Sequence, residues 1–407
     1  TPLYSSAASD VYKRQAKAEP EERRDMWLLM CEQFAPDATR FKSARQRYEA
    51  AAGTAEEGQA EISLRRALVS PRTRLLQRFS AFPEGMRFLV DLRAEILPLL
   101  KADNRLLPLD AELEHLFSTW FDVAFLELRR LSWDSPASLL EKLIKYEAVH
   151  DIRSWADLKN RLDSDRRCYG FFHPRLPNEP LIFVEVALLD KISSSITPLL
   201  DEAAAPVDIT RATTAIFYSI SNTQTGLRGV SFGDSLIKHV VETLTAEFPR
   251  LRTFATLSPI PGFRAWLGKH AGAMLDRLDD KRRSELGRAV GFEPPQATHF
   301  LGALDKALEL DAKSPVRQML LECAAYYLGR ELQEGKPADP VARFHLGNGA
   351  RVERLNWAGD PSSKGQKQSY GLMVNYLYDL KRIDKHRSLL AQGKVPLSGD
   401  IDSLCRD

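Results

Sequence analysis

This chain has little that points to disulfides, metal or membrane. Its four cysteines, Cys31, Cys168, Cys323 and Cys405, are scattered over 407 residues without a Cys-x-x-Cys pair. That spacing suggests neither a zinc site nor a disulfide framework, and the thiols are expected to be reduced, as in a cytosolic enzyme. No stretch approaches the roughly 18 consecutive apolar residues a membrane helix needs, so no membrane partner is expected. Charge is nearly balanced: 57 Lys and Arg against 55 Asp and Glu give 57 − 55 = +2. A nucleic-acid partner is therefore not expected. There is no Gly-x-Ser-x-Gly, which argues against a hydrolase nucleophile elbow. The histidines at 115, 150, 173, 239, 270, 299 and 386 show no metal-ligand spacing. No internal repeat is apparent. Residues 1–15, TPLYSSAASDVYKRQ, lack the apolar core of a signal peptide; they are expected to be a non-native or disordered leader and are set aside.

What is present reads as an ordinary globular chain, 44% hydrophobic and 28% charged, and its length calls for two domains. Residues 16–118 are expected to form a helical domain. Pro20-Glu21-Glu22 places proline and acids at a helix start. Met26, Leu29, Met30 and Phe34 then recur at helical spacing, as do Leu64, Leu68, Leu75, Leu76 and Phe79, and Phe88, Leu89, Leu92, Ile96 and Leu99. Breaks fall at Ala35-Pro36, Pro71 and Phe82-Pro83, the pattern of a helical bundle. Residues 102–108 are a candidate hinge, and 110–130 read as one more helix.

Residues 119–407 carry the strand signals. Leu181–Leu189 and Thr214–Ile220 have strand density, and Thr253–Ile260 is a third run. Between the last two lie a glycine-containing loop and an amphipathic helix, Ser235–Phe248, which predicts a βαβ crossover with parallel neighbours. Residues 265–335 return to helix. Arg343–Leu346 and Val352–Trp357 read as strands around Gly347-Asn348-Gly349, a hairpin signal. The polar run 358–369 reads as a solvated loop, and Gly371–Leu380 as a last strand.

Several positions could carry chemistry. The loop Arg228-Gly229-Val230-Ser231-Phe232-Gly233 precedes the amphipathic helix, and its glycines and the helix N-terminus together suit a phosphate; a simple chain reversal is the plainer alternative. Ser258, in Leu257-Ser258-Pro259-Ile260-Pro261-Gly262-Phe263, sits at the mouth of a strand, where α/β folds place chemistry, although a serine before proline is more often a turn or cap residue. His345 lies in Ala342–Ala350, ARFHLGNGA, where a lone histidine is more often structural. Ser219 and Tyr378 sit in the strand patterns of Phe217–Ser221 and Gly371–Tyr378.

The segments Phe217–Ser221, Thr253–Phe263, Ala342–Ala350 and Gly371–Tyr378, in this order and spacing, resemble malonyl-CoA decarboxylase over roughly residues 20–380. The resemblance implies an N-terminal helical oligomerisation domain followed by a GNAT-like mixed β-sheet domain flanked by helices. It implies conversion of malonyl-CoA to acetyl-CoA and CO2, with no metal and no cofactor beyond the coenzyme A of the substrate. By resemblance Ser258 binds the malonyl carboxylate, His345 gives the proton, Ser219 and Tyr378 are further site residues, and Arg228, Gly229, Val230, Ser231, Phe232 and Gly233 hold the CoA pyrophosphate. The GNAT loop pattern is matched at Arg228 and Gly233 and departs at Ser231, where some decarboxylases carry glutamate. The resemblance also implies a homo-oligomer. The terminal Leu404-Cys405-Arg406-Asp407 lacks the Ser-Lys-Leu peroxisomal address of some members, so a cytoplasmic enzyme is expected. Two other readings remain open: a CoA-dependent GNAT-type N-acyltransferase, and a non-catalytic interaction protein.

Overall fold

The computed structural model describes residues 17–230, 232 and 236–405; the leader 1–15 lies outside the described residues. Two compact units share the chain. The first comprises residues 1–127, 172–181 and 222–233, the second 128–171, 182–221 and 234–407.

The first unit is helical: Pro20–Gln33, Ala38–Ala51, Glu57–Leu68, Pro71–Phe79, Gly85–Ile96 and Leu107–Trp120. Pro20 and Pro71 sit at helix starts, where a missing N–H costs nothing. Leu76, Phe79, Leu89, Leu92 and Ile96 from the apolar stripes are buried, whereas Leu29 and Leu68 of the same stripes are about half exposed (53% and 51%) and lie outside the core. The expected helix over 110–130 ends at Trp120, and Glu127–Leu131 is strand β1. Two arginines stitch the unit. Arg72 Nη2 reaches Glu112 at 2.6 Å. Arg93 Nε reaches Asp110 at 2.8 Å, and its Nη1 donates to the carbonyls of Gly226 and Arg228. The glycine loop thus rests on helix Gly85–Ile96. A Cβ on Gly226 would run into the Val90 carbonyl, so close backbone approach explains that glycine.

The principal sheet has eight strands. Besides β1 they are β2 Arg166–His173, β3 Leu176–Leu189, β4 Thr214–Asn222, β5 Thr253–Thr256, β6 Ser258–Pro259, β9 Arg351–Asn356 and β10 Met373–Leu377. The short strands β7 Leu332–Gln333 and β8 Lys336–Pro337 form a separate pair. The order is β1-β2-β3-β4-β5-β10-β6, with β9 also on β10. β4 and β5 run parallel, from Thr214↔Thr253 to Phe217↔Thr256, joined through helix Leu236–Glu247. β10 is antiparallel to β5, β6 and β9, so the sheet is mixed. Ile216, Tyr218, Ala255, Leu257 and Met373 share one buried cluster on the sheet.

Two local expectations are overturned. The segment around His345 is a helix, Pro340–Gly347, not a strand. Pro340 occupies its first turn and Asp339 caps it, accepting from the N–H groups of Val341 and Ala342 at 2.9 and 3.0 Å. The Asn-Gly pair closes this helix instead of turning a hairpin: Gly349, at φ +86°, donates to Leu346 O, and Ala350 N–H donates to His345 O. The polar run 358–369 is also no solvated loop. Ser362 caps a short helix, Ser363–Ser369, and Asp360, Gly365 and Ser369 are buried.

Candidate active site

Parallel pairing of β4 and β5 ends at Phe217 and Thr256, where Leu257 N–H makes a last bond to Phe217 O at 2.9 Å. The chain steps across to β6, and its partner on β10 changes accordingly: Leu377 faces Ala255, whereas Val374 faces Ser258. Thr256 and Ser258, two residues apart, bring their hydroxyls within 2.8 Å. Helix Pro340–Gly347 delivers His345 in its last turn. His345 Nε2 lies 3.3 Å from Ser258 Oγ, and Nδ1 lies 2.8 Å from the Tyr378 hydroxyl. The imidazole also stacks on Tyr376, with centroids 4.9 Å apart and 27° between planes. Ser258, His345 and Tyr378, separated by 87 and 33 residues in sequence, therefore form one buried chain of hydrogen bonds.

Among the described residues no ion pair is made by the imidazole, although Arg387 acts on the Tyr378 hydroxyl from a distance. Burial alone pushes the His345 pKa down to about 3, so the ring is neutral at neutral pH. Burial likewise holds the Tyr378 hydroxyl far above the usual phenol range.

Ser219 is placed differently. Its hydroxyl is committed to Glu147, at 2.7 and 2.8 Å to the two carboxylate oxygens, and lies 3.3 Å from Ser221. Ser221 also donates to Glu147 Oε2 at 3.1 Å, and the N–H groups of Val149 and His150 donate to Oε1. Behind this carboxylate lies a second buried charge group. Arg161 pairs with Asp157 at 2.8 Å and with Glu185 at 3.1 Å, and both Arg161 and Glu185 are fully buried. Burial, followed by the charge of Glu147, pushes Glu185 up to about 8 against the pull of Arg161.

Of the phosphate loop, Arg228 and Gly229 are exposed, while Val230 and Phe232 are buried. Gly229 has φ +82°, and Phe232 O accepts from Val123 N–H. Ser231 and Gly233 lie outside the described residues. Sequence reasoning missed Thr256, Tyr376 and Glu147. Thr256 and Tyr376 each lie two positions before a residue already singled out, the strand repeat that places side chains on one face; Glu147 carries no comparable signal.

Comparison with known proteins places the chain in a family. Residues 34–121 match the malonyl-CoA decarboxylase N-terminal domain, and residues 124–407 match the malonyl-CoA decarboxylase C-terminal domain. The chain belongs to the malonyl-CoA decarboxylase family. It is 38% identical to the mitochondrial malonyl-CoA decarboxylase of Mus musculus over 361 residues, which is 85% of this chain and 73% of that protein. Crystal structures of malonyl-CoA decarboxylase superpose closely. The one from Agrobacterium vitis gives a TM-score of 0.84 at 40% identity, covering 99% of this chain and 95% of that one. The one from Rhodopseudomonas palustris gives 0.82 at 41%, covering 98% and 94%.

Proposed function

We propose that this chain performs the reaction its family is named for, converting malonyl-CoA to acetyl-CoA and CO2 with Ser258 and His345 at its centre. Breaking the bond between carboxylate and α-carbon releases CO2 and leaves its electron pair on the thioester as an enolate. One proton must then reach the α-carbon. Ser258 binds the malonyl carboxylate and holds it out of the thioester plane, so that the breaking bond aligns with the thioester π-system. His345 supplies the proton. The observation that carries this reading is the buried, uncharged Ser258–His345–Tyr378 chain. An incoming carboxylate brings a negative charge close to the ring, which raises the imidazole's proton affinity when a proton is needed. Tyr378 holds Nδ1 and so orients the ring. Ser219, tied to Glu147, shapes the neighbouring wall.

The exposed loop at Arg228 and Gly229 offers its N–H groups and guanidinium to the CoA pyrophosphate, and Val230, Ser231, Phe232 and Gly233 belong to the same proposed binding segment. No resident cofactor is needed for this chemistry, because the thioester itself delocalises the enolate. A cytoplasmic homo-oligomer is the setting we propose, the exposed Leu29, Ile62, Leu68 and Val69 of the helical unit supplying apolar contact surface. Among the described residues no helix is long and apolar enough to cross a membrane.

The test is incubation of the purified protein with malonyl-CoA and no amine acceptor, following acetyl-CoA and CO2. The decarboxylase makes both; an N-acyltransferase makes neither. Ser258→Ala and His345→Ala are expected to lose turnover while CoA binding survives. Near-normal turnover in either variant removes its assigned role.

A further inference from the structure

We propose that Thr256 is a positioning residue for this site: by accepting the Ser258 hydroxyl proton it keeps the proton of the neutral His345 ring on Nε2, facing Ser258. The inference rests on the decarboxylase reading for its purpose, but on geometry for its content. Ser258 Oγ donates to Thr256 Oγ1 at 2.8 Å. A serine hydroxyl has one proton. With that proton committed, Ser258 meets His345 Nε2, 3.3 Å away, through a lone pair. The shared proton in that contact must therefore come from the ring. A neutral imidazole carries one N–H, so Nδ1 is bare and accepts from the Tyr378 hydroxyl at 2.8 Å. Each link fixes the direction of the next.

Thr256 is well held for this task. It is fully buried, and its Oγ1 also accepts from Tyr376 N–H at 3.1 Å. Its carbonyl accepts from Asn375 Nδ2 at 2.7 Å, and its backbone pairs with Phe217 on β4. The same β10 segment that pins Thr256 supplies Tyr376, whose ring stacks on His345. The threonine hydroxyl is thus tied to the ring it controls from two sides. Without it, the Ser258 proton turns toward Nε2 and the ring proton moves to Nδ1, facing Tyr378. The reacting side then holds no imidazole proton, although every group named as catalytic is still present.

The experiment reads the ring directly. Protein labelled with 15N-histidine is examined by long-range 1H–15N correlation in the resting state, with His345 assigned by its disappearance in His345→Gln. The expected wild-type result is a protonated Nε2 and a bare Nδ1. In Thr256→Val the proton is expected on Nδ1, with kcat for malonyl-CoA down by about 10- to 100-fold and KM within about twofold. Thr256→Ser, which keeps the hydroxyl, is expected to restore both the tautomer and the rate. A wild-type ring protonated on Nδ1 overturns the proposal without any variant, so a Thr256→Val protein that does not fold leaves the question decided. A Thr256→Val enzyme that keeps Nε2–H, or keeps the wild-type kcat, also overturns it, as does failure of Thr256→Ser to restore them. Because the tautomer is read in the resting protein, its failure is distinguishable from an absence of decarboxylation.

Discussion

Two buried polar groups in the same unit are built on opposite principles. Around His345 the partners are hydroxyls and aromatic rings, and the imidazole is neutral because nothing nearby offsets a charge. Around Glu185 the partners include the buried Arg161 guanidinium, which also pairs with Asp157, while Glu147 is met by hydroxyls and backbone N–H groups. A buried ion pair is complete in itself and gains little from a ligand. An uncharged pocket of donors lacks a counter-ion that an anionic substrate can provide. The contrast separates the two groups more sharply than residue type does, because each has a serine, a histidine and a tyrosine close by.

The largest expected effect falls on the uncharged side. His345→Gln should lower kcat by about 10²- to 10⁴-fold, the worth of a positioned proton donor, with thermal stability nearly unchanged. A variant within tenfold of wild type would erase the distinction. On the charged side the effect should move to stability. Arg161→Met leaves the buried Asp157 and Glu185 carboxyls without their guanidinium partner and should cost about 3–5 kcal/mol in urea unfolding. Adding Glu185→Leu should recover much of that loss; no recovery means the pair is not what holds this region.

An effect of comparable size at most appears with pH. The folded-state pKa of His345, about 3, lies below its ordinary value of 6.5, so between these values the unfolded chain binds a proton that the folded chain does not. Its contribution is intact above pH 6.5 and is lost as pH falls toward 3, by up to about 1.4 kcal/mol per pH unit. Comparing urea unfolding of wild type and His345→Gln across that window should show a steeper acid loss in wild type; parallel curves would deny the ring its neutral burial. Smallest of all, Ser221→Ala removes one bond to Glu147 and should cost about 1 kcal/mol, with kcat within twofold.

Much of the fold was legible because its central strands are dense in aliphatic and aromatic residues. β3, β4, β5 and β10 and the helix between β4 and β5 announce themselves by period and composition. The misread segments are short. β1, Glu127–Leu131, has three charged residues in five and was absorbed into the preceding helix pattern. The helix bearing His345 has eight residues, and its Asn-Gly ending serves a hairpin or a helix end equally well until Pro340 and Asp339 are weighed. Ser363–Ser369 contains a glycine and almost no apolar residues, so it depends on its Ser362 cap and on packing that no local pattern displays. At the site, Ser258, His345 and Tyr378 stand out through the family resemblance. Their neutral environment, and the carboxylate that claims Ser219, emerge only when strands far apart in sequence converge.

Asp339 deserves a last consequence. One of its oxygens starts the helix that carries His345, and the other accepts the Gly262 N–H just beyond Ser258, at 3.3 Å. A Cβ on Gly262 would meet the Tyr327 hydroxyl, so that backbone has little room to shift. A single carboxylate therefore fastens both jaws of the vise to one bolt. Descendants of this sequence that replace it must adjust the serine wall and the histidine wall together, so substitutions on the two sides are expected to trade off as pairs over evolutionary time.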